Sequence, residues 1–126
     1  MLDSEYEEFI LLFYGCRAIF NSLDIIRKDI FIAFKIKIYN KLDGIMIDII
    51  NELKDVDIIS YSHYNHLLFK SVKFKYKLKY YELKIYLDFS NREQIKFKIN
   101  DVETVSIPID ELSKNNVTKM LSNKFI

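Results

Sequence analysis

The sequence predicts an α+β fold, with N-terminal helices packed on one face of a four- to five-stranded antiparallel meander, followed by a C-terminal helix. Two changes of period carry this expectation. Apolar residues recur every three or four positions up to Leu53 and every second position from Val56 to Pro108, and residues 110–125 return to a helical pattern. Helices grouped before a run of short antiparallel strands give segregated layers rather than a parallel βαβ arrangement.

Each element has its own signature. Asp3 or Ser4 can cap the first helix, Glu5, Glu7 and Glu8 complement its positive end, and Phe9, Phe13, Cys16 and Phe20 form its apolar stripe. Residues 29–39 fit two templates. Ile30, Ile32, Phe34, Ile36 and Ile38 alternate as in a strand, whereas Ile26, Ile30, Phe34, Ile38, Leu42, Ile45, Ile49 and Leu53 repeat as in one long helix. The second pattern runs unbroken into the helical segment 42–55 and favours helix, with Gly44 a candidate bend.

Residues 57–64, DIISYSHY, read as a strand, and Lys70–Phe89 as two more. The alternation in Lys70–Phe89 slips by one at Tyr80-Tyr81. A two-residue turn or a bulge there puts Val72, Phe74, Tyr76, Leu78, Leu83, Ile85 and Leu87 on one face. The turn is the preferred reading, because a single strand of some twenty residues far exceeds the usual ~5–6. It pairs Leu78 with Leu83 and Val72 with Phe89, and sets Lys73 opposite Asp88. Ser90–Glu93 makes a second turn into a strand carrying Ile95, Phe97 and Ile99, and Asn100-Asp101 a third. Pro108 ends the last strand, and a C-terminal helix capped near Asp110 or by the preceding loop follows.

The 126 residues suit a single domain, 1–126, large enough to bury a core without cross-links. The lone Cys16 excludes an internal disulfide and reads as a small buried hydrophobe. The N-terminus is acidic where a signal peptide is basic, and no apolar run approaches the ~18 residues of a membrane span, so a cytoplasmic setting without a membrane partner is expected.

Charge is unevenly placed. Residues 1–65 hold seven Lys/Arg against eleven Asp/Glu, residues 66–100 nine against three, and residues 101–126 three against four. The basic third of the chain is the strand region. The meander would present Lys73, Lys75, Lys77 and Lys79 on one strand, Lys84 and Tyr86 on the next, and Lys96 and Lys98 on the third.

No Gly-flanked serine, phosphate-cradling glycine loop or Cys-His spacing occurs, so neither an enzyme nor a cofactor is expected. His63 and His66 stand three apart, but on a strand they point to opposite sides. The expectation is a small non-enzymatic binding module engaging a protein with an acidic surface, the size and build of small inhibitors, immunity proteins or viral and mobile-element accessory factors by analogy alone. Nucleic acid is the alternative partner for the same Lys/Tyr face, and self-association is compatible with the near-neutral net charge of +1.

Overall fold

The computed structural model describes residues 3–22, 28–64, 69–87 and 94–125. Two helices, α1 (Asp3–Ser22) and α2 (Lys28–Leu53), precede five strands, β1 (Asp57–Tyr64), β2 (Phe69–Tyr76), β3 (Lys79–Leu87), β4 (Gln94–Ile99) and β5 (Val102–Pro108). A 3-10 turn (Ile109–Glu111) leads into α3 (Lys114–Ser122). The strands form one antiparallel sheet in chain order, β1-β2-β3-β4-β5, so the α+β layout expected from the change of period is present.

The helical reading of residues 29–39 holds, and α2 runs through Gly44 without interruption. Tertiary burial decides it. Ile38, Leu42, Ile45, Met46 and Ile49 fall on one face of α2 and are fully enclosed, which strand geometry would have split between two faces. α2 packs over β2 and against α3, and α1 packs on α2. In α1, Phe9, Phe13 and Cys16 are buried as the stripe predicts, and burial pushes the Cys16 thiol up to about 11.

Two tyrosines latch α1 in place. Tyr6 donates 2.6 Å to Asp48 Oδ2 on α2, and Tyr14 donates 2.7 Å to Asp110 Oδ1 beyond the sheet. Burial raises the Tyr6 hydroxyl far above its ordinary value and the bond to Asp48 adds to it, so Tyr6 stays a neutral donor.

The inner face of the sheet carries Val72 and Phe74 of β2, Leu83, Ile85 and Leu87 of β3, Ile95 and Phe97 of β4, and Val105 and Ile107 of β5, all buried in a single core with the helices. Each such side chain contributes roughly 1.5–3 kcal/mol of burial free energy. Phe125, past α3, closes one end, its ring tilted against Phe74 at a centroid distance of 5.5 Å and edge-on to Tyr81 at 5.2 Å. Of the two expected caps, the residues just before the helix supply it: Ser113, whose hydroxyl accepts from Asn116 N, caps the C-terminal helix, rather than Asp110. Asp110 instead sits in the 3-10 turn that follows Pro108. Among the described residues no helix is long and apolar enough to cross a membrane.

The hairpin of Lys70–Phe89 exists, but its turn is at Lys77-Leu78, three residues earlier than Tyr80-Tyr81. Tyr76 pairs with Lys79, Phe74 with Tyr81, Lys73 with Glu82 and Val72 with Leu83. Both loop residues have positive φ, 49° at Lys77 and 66° at Leu78, the geometry of a two-residue primed turn. The inner face explains the choice of register: pairing Val72 with Leu83 and Phe74 with Tyr81 seats all four on the core side against α2 and Phe125. The turn expected at Ser90–Glu93, with Asp88 and Phe89 before it, lies outside the described residues.

Candidate functional site

Helices cover one face of the sheet, and the opposite face presents the alternate residues. Register lines these up in rows that cross the strands. One row runs Ser60, Lys73, Glu82; the next runs Ser62, Ser71, Lys84, Lys98, Glu103; a third contains Phe69, Tyr86, Lys96 and Ser106. Lys75 and Tyr80 are opposite one another nearer the hairpin end. Six of the eight expected interaction residues, Lys73, Lys75, Lys84, Tyr86, Lys96 and Lys98, therefore share this outer face.

Lys77 and Lys79 do not join them, which corrects the expected ladder of four lysines on one strand. Lys77 occupies the turn. Lys79 pairs with Tyr76, and partners flanking a two-residue loop point to the same side, so Lys79 belongs to the inner-face set although it projects past the core into solvent.

Sequence reasoning also missed two aromatics on the outer face. Phe69 is buried and lies 5.1 Å from Tyr86, ring to ring, while Tyr80 is 68% exposed at the hairpin end. Glu82 stands between Lys73 and Lys84. Placing the turn at Lys77-Leu78 is what brings Tyr80 outward, whereas Glu82 faces outward in either register. On the other side, Lys70 points inward, only 7% exposed, with its Nζ 2.9 Å from Asp43 Oδ2 on α2 and 5.3 Å from the Tyr39 ring centre. Its position two residues before Val72 is the signal that could have placed it there.

The electrostatics of the face are more mixed than its lysine count suggests. Lys84 and Lys98 are direct cross-strand neighbours, an arrangement of like charges that is destabilising on its own. It is offset on both sides. Lys84 Nζ lies 2.7 Å from Asp101 Oδ1 and 3.4 Å from Glu82 Oε1, and Lys98 Nζ sits 4.8 Å from the centre of the Tyr86 ring. The hydrogen bond to Asp101 holds the Lys84 ammonium above its ordinary value, partial burial opposing it, and the same bond holds the Asp101 carboxyl below its own.

Lys73 is 3.8 Å from Glu82. Among the described residues no carboxylate lies within 4.0 Å of Lys75, Lys77, Lys79, Lys96 or Lys98. Lys75 instead hovers 5.5 Å from the Tyr80 ring centre and Lys77 5.2 Å from that of Tyr76. The result is a surface on which Lys75, Lys84 and Lys98 sit over aromatic rings, with carboxylates at Glu82, Asp101 and Glu103 interrupting it. Such a surface can accept carboxylates and ring edges from another molecule.

Among the described residues no group of three His, Cys, Asp or Glu is placed to hold a metal ion. His66 lies outside the described residues. A scan against protein-family models finds no match, and searches of curated proteins and of solved structures find none either.

Proposed function

We propose that this chain is a non-enzymatic protein-binding module that docks an acidic protein surface on the outer face of its sheet. Lys75, Lys96 and Lys98 make the charged contacts, with Tyr86 and Tyr80 providing the apolar part of the interface. The observation that supports this most is the interleaving of Glu82, Asp101 and Glu103 with the lysines. A continuous phosphate track would meet repulsion at each carboxylate, whereas a protein surface of mixed sign matches such a pattern and is held in register by it. Aromatic rings beneath the lysines suit the same role, since Tyr contributes large contact area at low entropic cost.

The reading is tested by fluorescence anisotropy with a labelled oligo-glutamate peptide and with labelled single- and double-stranded DNA and RNA, at low and moderate salt. Saturable binding of the peptide, lost in the triple variant K75E/K96E/K98E while circular dichroism is unchanged, is the expected result. Tighter binding of any nucleic acid than of the peptide, abolished by the same variant, overturns it in favour of a nucleic-acid module.

A further inference from the structure

Exposed apolar side chains are concentrated in one place. Of the eleven large ones among the described residues, six lie on α2 and β1: Ile32, Ile36, Ile47, Ile58, Ile59 and Tyr61. Ile36, Asn40, Asp43 and Ile47 are spaced by four, three and four residues and so form one stripe along α2. This stripe, with Tyr39, Tyr61, Ser62, Lys70 and Ser71, encloses a trough of about 660 Å³. Ile58 and Tyr61 belong by register to the inner face of the sheet, opposite Phe74 and Val72, yet they are 46% and 52% exposed, so the helical layer stops short of β1.

The strand beneath this trough is an open edge. β1 pairs with β2 alone, leaving one side of its ladder unpaired among the described residues. It contains no lysine and no proline, two of the devices that discourage further strand addition. Its irregularity at Ile59 leaves Ser60–Tyr64 in regular register. The opposite edge, β5, ends in Pro108 and contacts α3.

We infer that a second copy of this chain occupies the trough, with β1 pairing antiparallel to its twofold mate and the two α2 stripes closing over the join. Charge allows this arrangement. Asp43, the one ionisable group on the stripe, is already matched by Lys70 at 2.9 Å within its own subunit, and antiparallel pairing carries the two Asp57 side chains to opposite ends of the interface.

The dimensions agree as well. In a continuous sheet the two β2 strands stand three strand spacings apart, about 14 Å. Helices in direct contact lie about 8–10 Å apart. Since α2 rides over β2, the remaining few ångströms are the width that Ile36, Ile47 and Tyr61 of both copies fill. The product is a ten-stranded sheet with both lysine faces on the same side.

Sedimentation equilibrium over a wide concentration range tests this independently of any other partner. The expected result is a species of twice the 15.2 kDa chain mass that dissociates on dilution, and loss of that species in both I36E/I47E and Y61K. K75E/K96E/K98E should still dimerise. The two interface variants alter half-exposed side chains on different elements, so unfolding of one, seen by circular dichroism, leaves the other as the test. A wild-type monomer at every concentration overturns the inference, as does a dimer that survives in a folded interface variant.

Discussion

Two hairpin turns in this sheet share one backbone geometry and differ in chemistry. The β4–β5 turn, Asn100-Asp101, has φ of 52° and 64°, and the β2–β3 turn, Lys77-Leu78, has φ of 49° and 66°. Asn and Asp enter this left-handed region readily because their short polar side chains bond locally, whereas other residues with a Cβ pay roughly 1–2 kcal/mol each. The first turn uses that advantage. Asn100 Oδ1 accepts from Glu82 N at 2.9 Å, Asn100 N donates to Glu82 O at 2.9 Å, and Asp101 reaches Lys84. The second has no such support, and its Leu78 is 88% exposed.

The Lys77-Leu78 turn is therefore imposed by its flanks. Phe74 and Tyr81, stacked 5.7 Å apart and both packed on Phe125, fix where the chain must reverse, and the loop residues accept the strain. The lesson is that core pairing outweighs turn propensity when the burial of several core side chains, roughly 1.5–3 kcal/mol each, opposes roughly 2–4 kcal/mol of local strain.

Three experiments sharpen the contrast, all read as urea-unfolding free energies. The largest effect is expected for Asn100→Ala, which both loses the bond to Glu82 N and places an ordinary Cβ at positive φ, destabilising by about 2 kcal/mol. Rebuilding the other turn in the image of the first, Lys77→Asn with Leu78→Gly, should stabilise by about 1 kcal/mol after the entropic cost of glycine in the unfolded chain is deducted. A destabilised double variant would show that the Lys77-Leu78 turn is not strained.

The smallest effect concerns the ion pair beside Asn100. The Asp101 carboxyl is held below its ordinary 3.8, so its contribution is present above that value and is lost as pH falls through the depressed one. Lys84 is raised above 10.5, so its contribution is present below that value and is lost as pH rises through the elevated one. The stability difference between wild type and Asp101→Asn should thus be flat across neutral pH and vanish in acid well below 3.8. Because Asp101 is solvent-exposed, the difference is small and shrinks further with salt.

The same contrast explains what the sequence made legible. Asn100-Asp101 was readable because the residues that favour the turn are the ones that form it. Lys77-Leu78 was not, since nothing local marks it and the visible slip at Tyr80-Tyr81 pointed elsewhere. In the structure Lys79 and Tyr81 join the inner set and Tyr80 the outer, so the slip records the reversal at one remove.

That displacement propagated to the site. Alternation alone places Lys73, Lys75, Lys84, Tyr86, Lys96 and Lys98 on a common face, but it groups Lys77 and Lys79 with them in error and leaves out Phe69 and Tyr80. α2 was legible through its long period, because burial of Ile38, Leu42, Ile45 and Ile49 follows a stripe that no strand could satisfy. The trough beside β1 was not legible at all. Its walls come from residues about twenty positions apart that read separately as an exposed helix stripe and an ordinary strand.

The sequential order of the strands bears on how the molecule assembles in time. Each strand bonds only to its neighbours in the chain, so the sheet can zip from successive hairpins without closing long loops. The contacts that tie the two ends together are of another kind: Tyr14 reaches Asp110 across a separation of 96 residues, and α3 must dock on α2. Those contacts span most of the chain and close its longest loops. The topology therefore predicts that the hairpins and the helix they pack on form early and that the embrace of the two termini forms late, so that Tyr14→Phe should speed unfolding more than it slows folding in a urea chevron.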